Sequence, residues 1–90
     1  MNEKELREKE LRIQIGQLES RLDGRIEMFC EEVDRTRNDL SKLSSLYNEL
    51  ASINDDDPIL KMGCRASMDG IRTRVRAEYN DNISKLFRNF

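Results

Sequence analysis

The sequence predicts an all-α fold in which a long helix turns back on a second one as an antiparallel, coiled-coil-like hairpin. Three observations predict it. The 90 residues include a single proline, Pro58, and four glycines, so long helices meet few interruptions. Charged residues make up 38% of the chain and apolar residues 37%, a balance typical of thin amphipathic helices. The run Asp55-Asp56-Asp57 directly before Pro58 indicates a turn followed by a helix start.

The first helix is predicted from about Glu3 to Ile53, because apolar residues recur there in steps of four and three. One extra half-step, a stutter, interrupts this heptad pattern between Leu18 and Ile26. The predicted seam consists of Leu11, Ile15, Leu18, Leu22, Ile26, Phe29, Val33, Thr36, Leu40, Leu43, Tyr47 and Leu50.

The second helix is predicted from Pro58 to about Phe90, with the turn over residues 54–58 and one domain over residues 1–90. Asp57 is a natural N-cap, and Pro58 suits the first helical position. Three consecutive aspartates could instead bind a divalent cation, but no further ligands follow at loop spacing. The predicted seam consists of Leu60, Cys64, Met68, Ile71, Val75, Tyr79, Asn82, Leu86 and Phe90.

A turn centred near Asp56 fixes the register of the hairpin. It sets Leu50 opposite Met62 and Leu43 opposite Met68, and it pairs residues 22–53 with residues 59–90. Residues 1–21 are left without a partner, although they carry the apolar Leu11, Ile15 and Leu18. A homodimer that forms a helical bundle would cover them and thicken the core.

The alternative is a monomeric three-helix bundle. Asp23-Gly24 is a turn-like pair, and a break near Gly24 would fold residues 1–22 back as a third helix. The stutter favours this break, whereas the seam that continues through Gly24 argues against it.

Small residues without charge follow helical spacing on the second helix, roughly 150° around from its seam. We call them the small-residue stripe: Gly63, Ala66, Gly70, Thr73 and Ala77. One interpretation is a solvent face; the other is close approach of another helix, from a dimer mate or a different protein. The predicted contact residues are this stripe together with Leu11, Ile15, Leu18, Phe87 and Phe90.

A basic stripe, Lys61, Arg65, Arg72 and Arg76, lies beside the large-residue seam of the second helix. Residues 58–90 carry 7 basic and 3 acidic side chains, whereas residues 1–57 carry 9 basic and 15 acidic ones. The stripe therefore either complements the acidic first helix or docks nucleic acid or an acidic protein. No aromatic residues interleave with the arginines to stack bases, so nucleic acid is a less favoured partner of this stripe than an acidic protein.

The sequence does not favour catalysis. It contains no histidine, so Cys30 and Cys64 have no imidazole partner, and no glycine-rich phosphate loop is present. We predict no enzyme activity, no cofactor, no metal and no small-molecule substrate. Both cysteines are interpreted as small core residues in a reducing compartment. Without an apolar signal segment or membrane span, a cytoplasmic location is expected.

The predicted function is a non-enzymatic protein–protein interaction module, such as an adaptor, inhibitor, regulator or assembly factor, that works as a homodimer through helical faces. A small helical-hairpin regulator that binds nucleic acid is the first alternative. The second is a structural component of a phage, a mobile element or a large complex.

Overall fold

A computed structural model of the chain describes residues 2–53 and 56–90. They form two helices, α1 (Glu3–Ile53) and α2 (Pro58–Leu86), with no strand among the described residues. The predicted all-α helical hairpin is confirmed. The chain divides into two compact units, Met1–Thr36 and Arg37–Phe90.

The first unit is the N-terminal part of α1. The Asn2 Oδ1 atom accepts a hydrogen bond from the Glu5 N–H at 2.8 Å, which satisfies one free donor of the first turn. Acidic residues at positions 3 and 5 complement the positive end of the helix dipole. The helix is continuous through Gly24, so the three-helix alternative with a break there is wrong.

Every residue from 2 to 35 is exposed. The first unit is therefore a helix whose apolar residues are exposed.

The second unit holds the hairpin itself. Its buried side chains are Cys64 and Met68. Half-buried residues follow the same faces at helical spacing, and they are Leu40, Leu43, Ser44, Tyr47 and Ala51 of α1 with Leu60, Ile71, Val75 and Tyr79 of α2. The predicted seam of the second helix is thus confirmed from Leu60 to Tyr79.

The predicted seams differ from the observed ones in two places. In α1, Ser44 and Ala51 are half-buried, whereas Leu50 is 44% exposed. In α2, the predicted seam residues Asn82, Leu86 and Phe90 are exposed. Because the apolar spacing alone does not say which neighbours an opposing helix covers, small residues can occupy inner positions that a leucine was expected to fill.

The register of the second unit agrees with the predicted one. A groove between the two helices is lined by Tyr47, Asn48 and Ala51 on one side and by Lys61, Cys64 and Arg65 on the other. The predicted register sets Cys64 opposite Asn48, and both residues line this groove. The predicted pairing of residues 22–36 with the second helix spans the two units and stays a prediction.

Asp57 starts α2 as predicted. Its Oδ1 atom accepts hydrogen bonds from the backbone N–H groups of Ile59 and Leu60, each at 3.1 Å, and its backbone is extended. Pro58 follows at the first helical position. The other predicted turn residues, Asn54 and Asp55, lie outside the described residues.

The second helix ends at Leu86, four residues before its predicted end. The Phe87 N–H donates to the Ser84 carbonyl at 3.3 Å, and the Arg88 N–H donates to the Lys85 carbonyl at 3.4 Å. These bonds span three residues, which tightens the last turn as helix ends commonly do. Asn89 adopts a left-handed backbone with φ 70°, a conformation that asparagine tolerates.

Asp57→Ala should lower the free energy of unfolding by about 1 kcal/mol, because two backbone donors lose their acceptor. Urea denaturation followed by circular dichroism measures this. Asp56→Ala is the matched control, since the cap hydrogen bonds come from Asp57. Equal losses for the two variants would contradict the assignment of the cap.

Met68→Ala should lower the free energy of unfolding by about 2–3 kcal/mol, because a buried thioether is replaced by a cavity. Met62→Ala is the matched control on the same helix, since its side chain is 71% exposed, and its effect should stay within about 0.5 kcal/mol. Thermal denaturation of the two variants gives the comparison. A similar loss at both positions would show that Met68 is not in the core.

Candidate interaction surfaces

The first unit exposes one long row of large apolar side chains. We call it the apolar stripe: Leu11, Ile15, Leu18, Leu22, Ile26, Phe29 and Val33. Their side chains are 38–59% exposed. The spacing repeats every eleven residues, which keeps the row on one side of a nearly straight helix. At 1.5 Å per residue the stripe extends for about 33 Å.

Rows of this length are unusual on the surface of a monomer, where apolar side chains are mostly scattered. The predicted contact residues Leu11, Ile15 and Leu18 all belong to the stripe. Leu22, Ile26, Phe29 and Val33 are exposed as well. Their predicted pairing with the second helix spans the two units and stays a prediction.

The small-residue stripe of α2 is exposed along its whole length. A Cβ atom built on Gly63 or Gly70 meets no atom within 4 Å outside the local helix backbone. The chain itself therefore gives no steric reason for these two glycines. Contact of this stripe with a partner stays a prediction.

Phe87 and Phe90 follow the end of α2, and both are exposed. Ile83 and Leu86 on the last turns of the helix are exposed as well. The end of the second unit thus carries a second apolar surface. It is shorter than the apolar stripe and less regular, because the helix ends within it.

The basic stripe is exposed on α2. Arg65, Arg72 and Arg76 make no ion pair within residues 2–53 and 56–90. In that same part of the chain, ion pairs form between neighbours on one helix, as with Arg12 and Glu8 at 2.9 Å and Lys85 and Asp81 at 3.3 Å. These three arginines are therefore not neutralised by the acidic residues that the structure describes. Docking of nucleic acid or of an acidic protein stays a prediction.

The two cysteines have different surroundings. Both are free thiols; Cys64 is buried and Cys30 is exposed. The prediction that both are core residues is correct for Cys64 and wrong for Cys30. Cys30 lies in the first unit, where α1 has no covering element to bury it.

One groove of the second unit has a largely apolar lining. It is lined by Tyr47, Leu50, Ile59, Leu60, Gly63, Cys64 and Ser67, a set that suits packing against an apolar surface. Within the described part of the chain, no group of three or more acidic or cysteine side chains could hold a metal ion. The absence of enzyme activity stays a prediction.

No protein-family model matches the chain, and no significant match is found to a curated protein or a solved structure. Among the described residues, no helix has the length and apolar character needed to cross a membrane.

Gly70→Ala should raise the free energy of unfolding by up to about 1 kcal/mol, because alanine is the better helix former and the added methyl group meets open space. Chemical denaturation measures the change. Ala66→Gly is the reverse control on the same stripe and should lose a similar amount. A loss of stability for Gly70→Ala would mean that another molecule packs against this position.

Proposed function

We propose that this chain is a non-enzymatic protein–protein interaction module that acts through helical faces and works as a homodimer. The observation that carries the proposal is the apolar stripe of the first unit, an exposed row of seven large side chains on a helix without a core of its own.

The stability of the helix supports the need for a partner. Isolated helices are marginal in water, and most helices in proteins are stabilised by packing of their apolar face. Residues 2–35 are all exposed, so this part of the helix does not bury its apolar face in a core. A partner on the apolar stripe would supply the missing stabilisation.

The energy available from the stripe is sufficient for association. Fully burying a large apolar side chain is worth roughly 1.5–3 kcal/mol, and the seven stripe residues are about half exposed. Covering them therefore gains roughly 5–10 kcal/mol for each copy. The two copies together gain roughly 10–20 kcal/mol, which is of the same order as the cost of about 4–15 kcal/mol for lost freedom on association.

The accessible surface supports the same conclusion. The chain exposes 8346 Å², whereas a folded monomer of its mass is expected to expose roughly 5,500 Å². The excess is several times the roughly 800 Å² that each partner buries in a standard interface. An interface on the stripe would remove part of this excess.

The composition supports a module without catalysis. The chain has no histidine, which is the side chain that most often serves as general acid or base. Binding through helical faces needs only shape, apolar area and charge pattern, which this chain has. Adaptor, inhibitor and assembly roles all fit that mode of action.

Sedimentation equilibrium should give a particle of twice the 10.6 kDa chain mass. Leu22→Glu should weaken self-association at least about tenfold, because a charge would be buried at the centre of the stripe. Ser20→Glu is the matched control, since it lies on the opposite side of the helix. An unmodified chain that stays monomeric at all concentrations, or equal weakening by both variants, would contradict the proposal.

A further inference from the structure

We infer that the second copy docks on the apolar stripe with its α1 parallel and in register, so that each stripe residue meets its own counterpart. This inference rests on the proposed homodimer and adds its geometry. It follows from the apolar spacing and from the charges that flank it.

The apolar spacing admits two arrangements. A symmetric dimer uses the same surface on both copies, so the surface must complement itself. The stripe reads the same in both directions from Leu22, because its steps are four, three and four residues on either side. A parallel pair brings Leu11 against Leu11, and an antiparallel pair brings Leu11 against Val33. Both bury apolar against apolar.

The flanking charges distinguish the two arrangements. At 100° per residue, each flank of the stripe carries six charged side chains, at similar heights along the helix. The first flank holds Glu5, Glu8, Arg12, Glu19, Asp23 and Asp34, and the second holds Glu3, Arg7, Glu10, Arg21, Arg25 and Glu32.

In a parallel pair, the first flank of one copy faces the second flank of the other at the same height. Glu5 then faces Arg7, Arg12 faces Glu10, Glu19 faces Arg21 and Asp23 faces Arg25, each two residues away. Like charges meet at Glu3–Glu5, Glu8–Glu10 and Glu32–Asp34. On each side the parallel arrangement therefore has four complementary contacts against three unfavourable ones, and both contacts at the centre of the stripe are complementary.

In an antiparallel pair, each flank of one copy faces the same flank of the other copy. Glu19 then approaches Asp23, and Arg21 approaches Arg25, so like charges meet on both sides of the centre. Arg12 and Asp34 are complementary toward the ends. Since like charges in contact select against a wrong arrangement, the pattern favours the parallel one.

The charged side chains are free to make these contacts. Arg7 and Arg12 pair with Glu10 and Glu8 within the helix, but the side chains of all four are 55–77% exposed. Exposed pairs of this kind contribute little and can exchange partners. The ends of the flanks are therefore available to a second copy.

Oxidative cross-linking of cysteine variants tests the orientation. In a Cys30→Ser background, Val33→Cys should form a disulfide between copies, because the two positions become neighbours across a parallel seam. An antiparallel pair would hold them about 33 Å apart, too far for a bond that needs Cα atoms within about 7 Å. Cys64 stays in place because it is buried, and peptide mass spectrometry identifies the bonded residues.

Matched variants separate the outcomes. Leu22→Cys should cross-link in either orientation, and Ser20→Cys in neither, because it lies on the opposite side of the helix. Two results overturn the parallel register and leave the proposed function standing. One is a dimer that cross-links through Leu22→Cys but not through Val33→Cys. The other is a disulfide that joins Leu11→Cys to Val33→Cys in a mixture of the two variants. A dimer without any cross-link places the interface elsewhere and also overturns the inference. A monomeric unmodified chain overturns both.

Discussion

The hairpin depends on the burial of Cys64 and Met68 of α2 against the end of α1. They are the buried side chains among the described residues, and half-buried residues extend the same contact from Leu60 to Tyr79. Two helices can bury only one face each, so this core is small for a chain of 90 residues. The free energy of unfolding of the hairpin therefore depends on a small number of contacts.

The cap fixes where α2 begins. The Asp57 side chain satisfies the first free backbone donors, and Pro58 fixes the backbone of the first helical residue. The spacing of the residues from Leu60 to Tyr79 then places Cys64 and Met68 on the face that packs against α1.

The difference between the two units underlies the proposed function. The second unit has a core, whereas the first unit is a helix whose apolar stripe is exposed. We propose that a second copy packs against this stripe. In that proposal the flanking charges select the arrangement of the two copies, since apolar contacts are not directional.

The sequence by itself determined the two helices, the cap at Asp57 and the seam from Leu60 to Tyr79, because periodicity and capping depend on residues a few positions apart. The tertiary structure decided that Ser44 and Ala51 lie inward while Leu50 is largely exposed, that Cys30 is exposed, and that the helix passes through Gly24. The sequence located the Leu11, Ile15 and Leu18 part of the apolar stripe, but not its continuation to Val33. Burial depends on which residues an opposing helix covers, and neighbours along the chain do not carry that information.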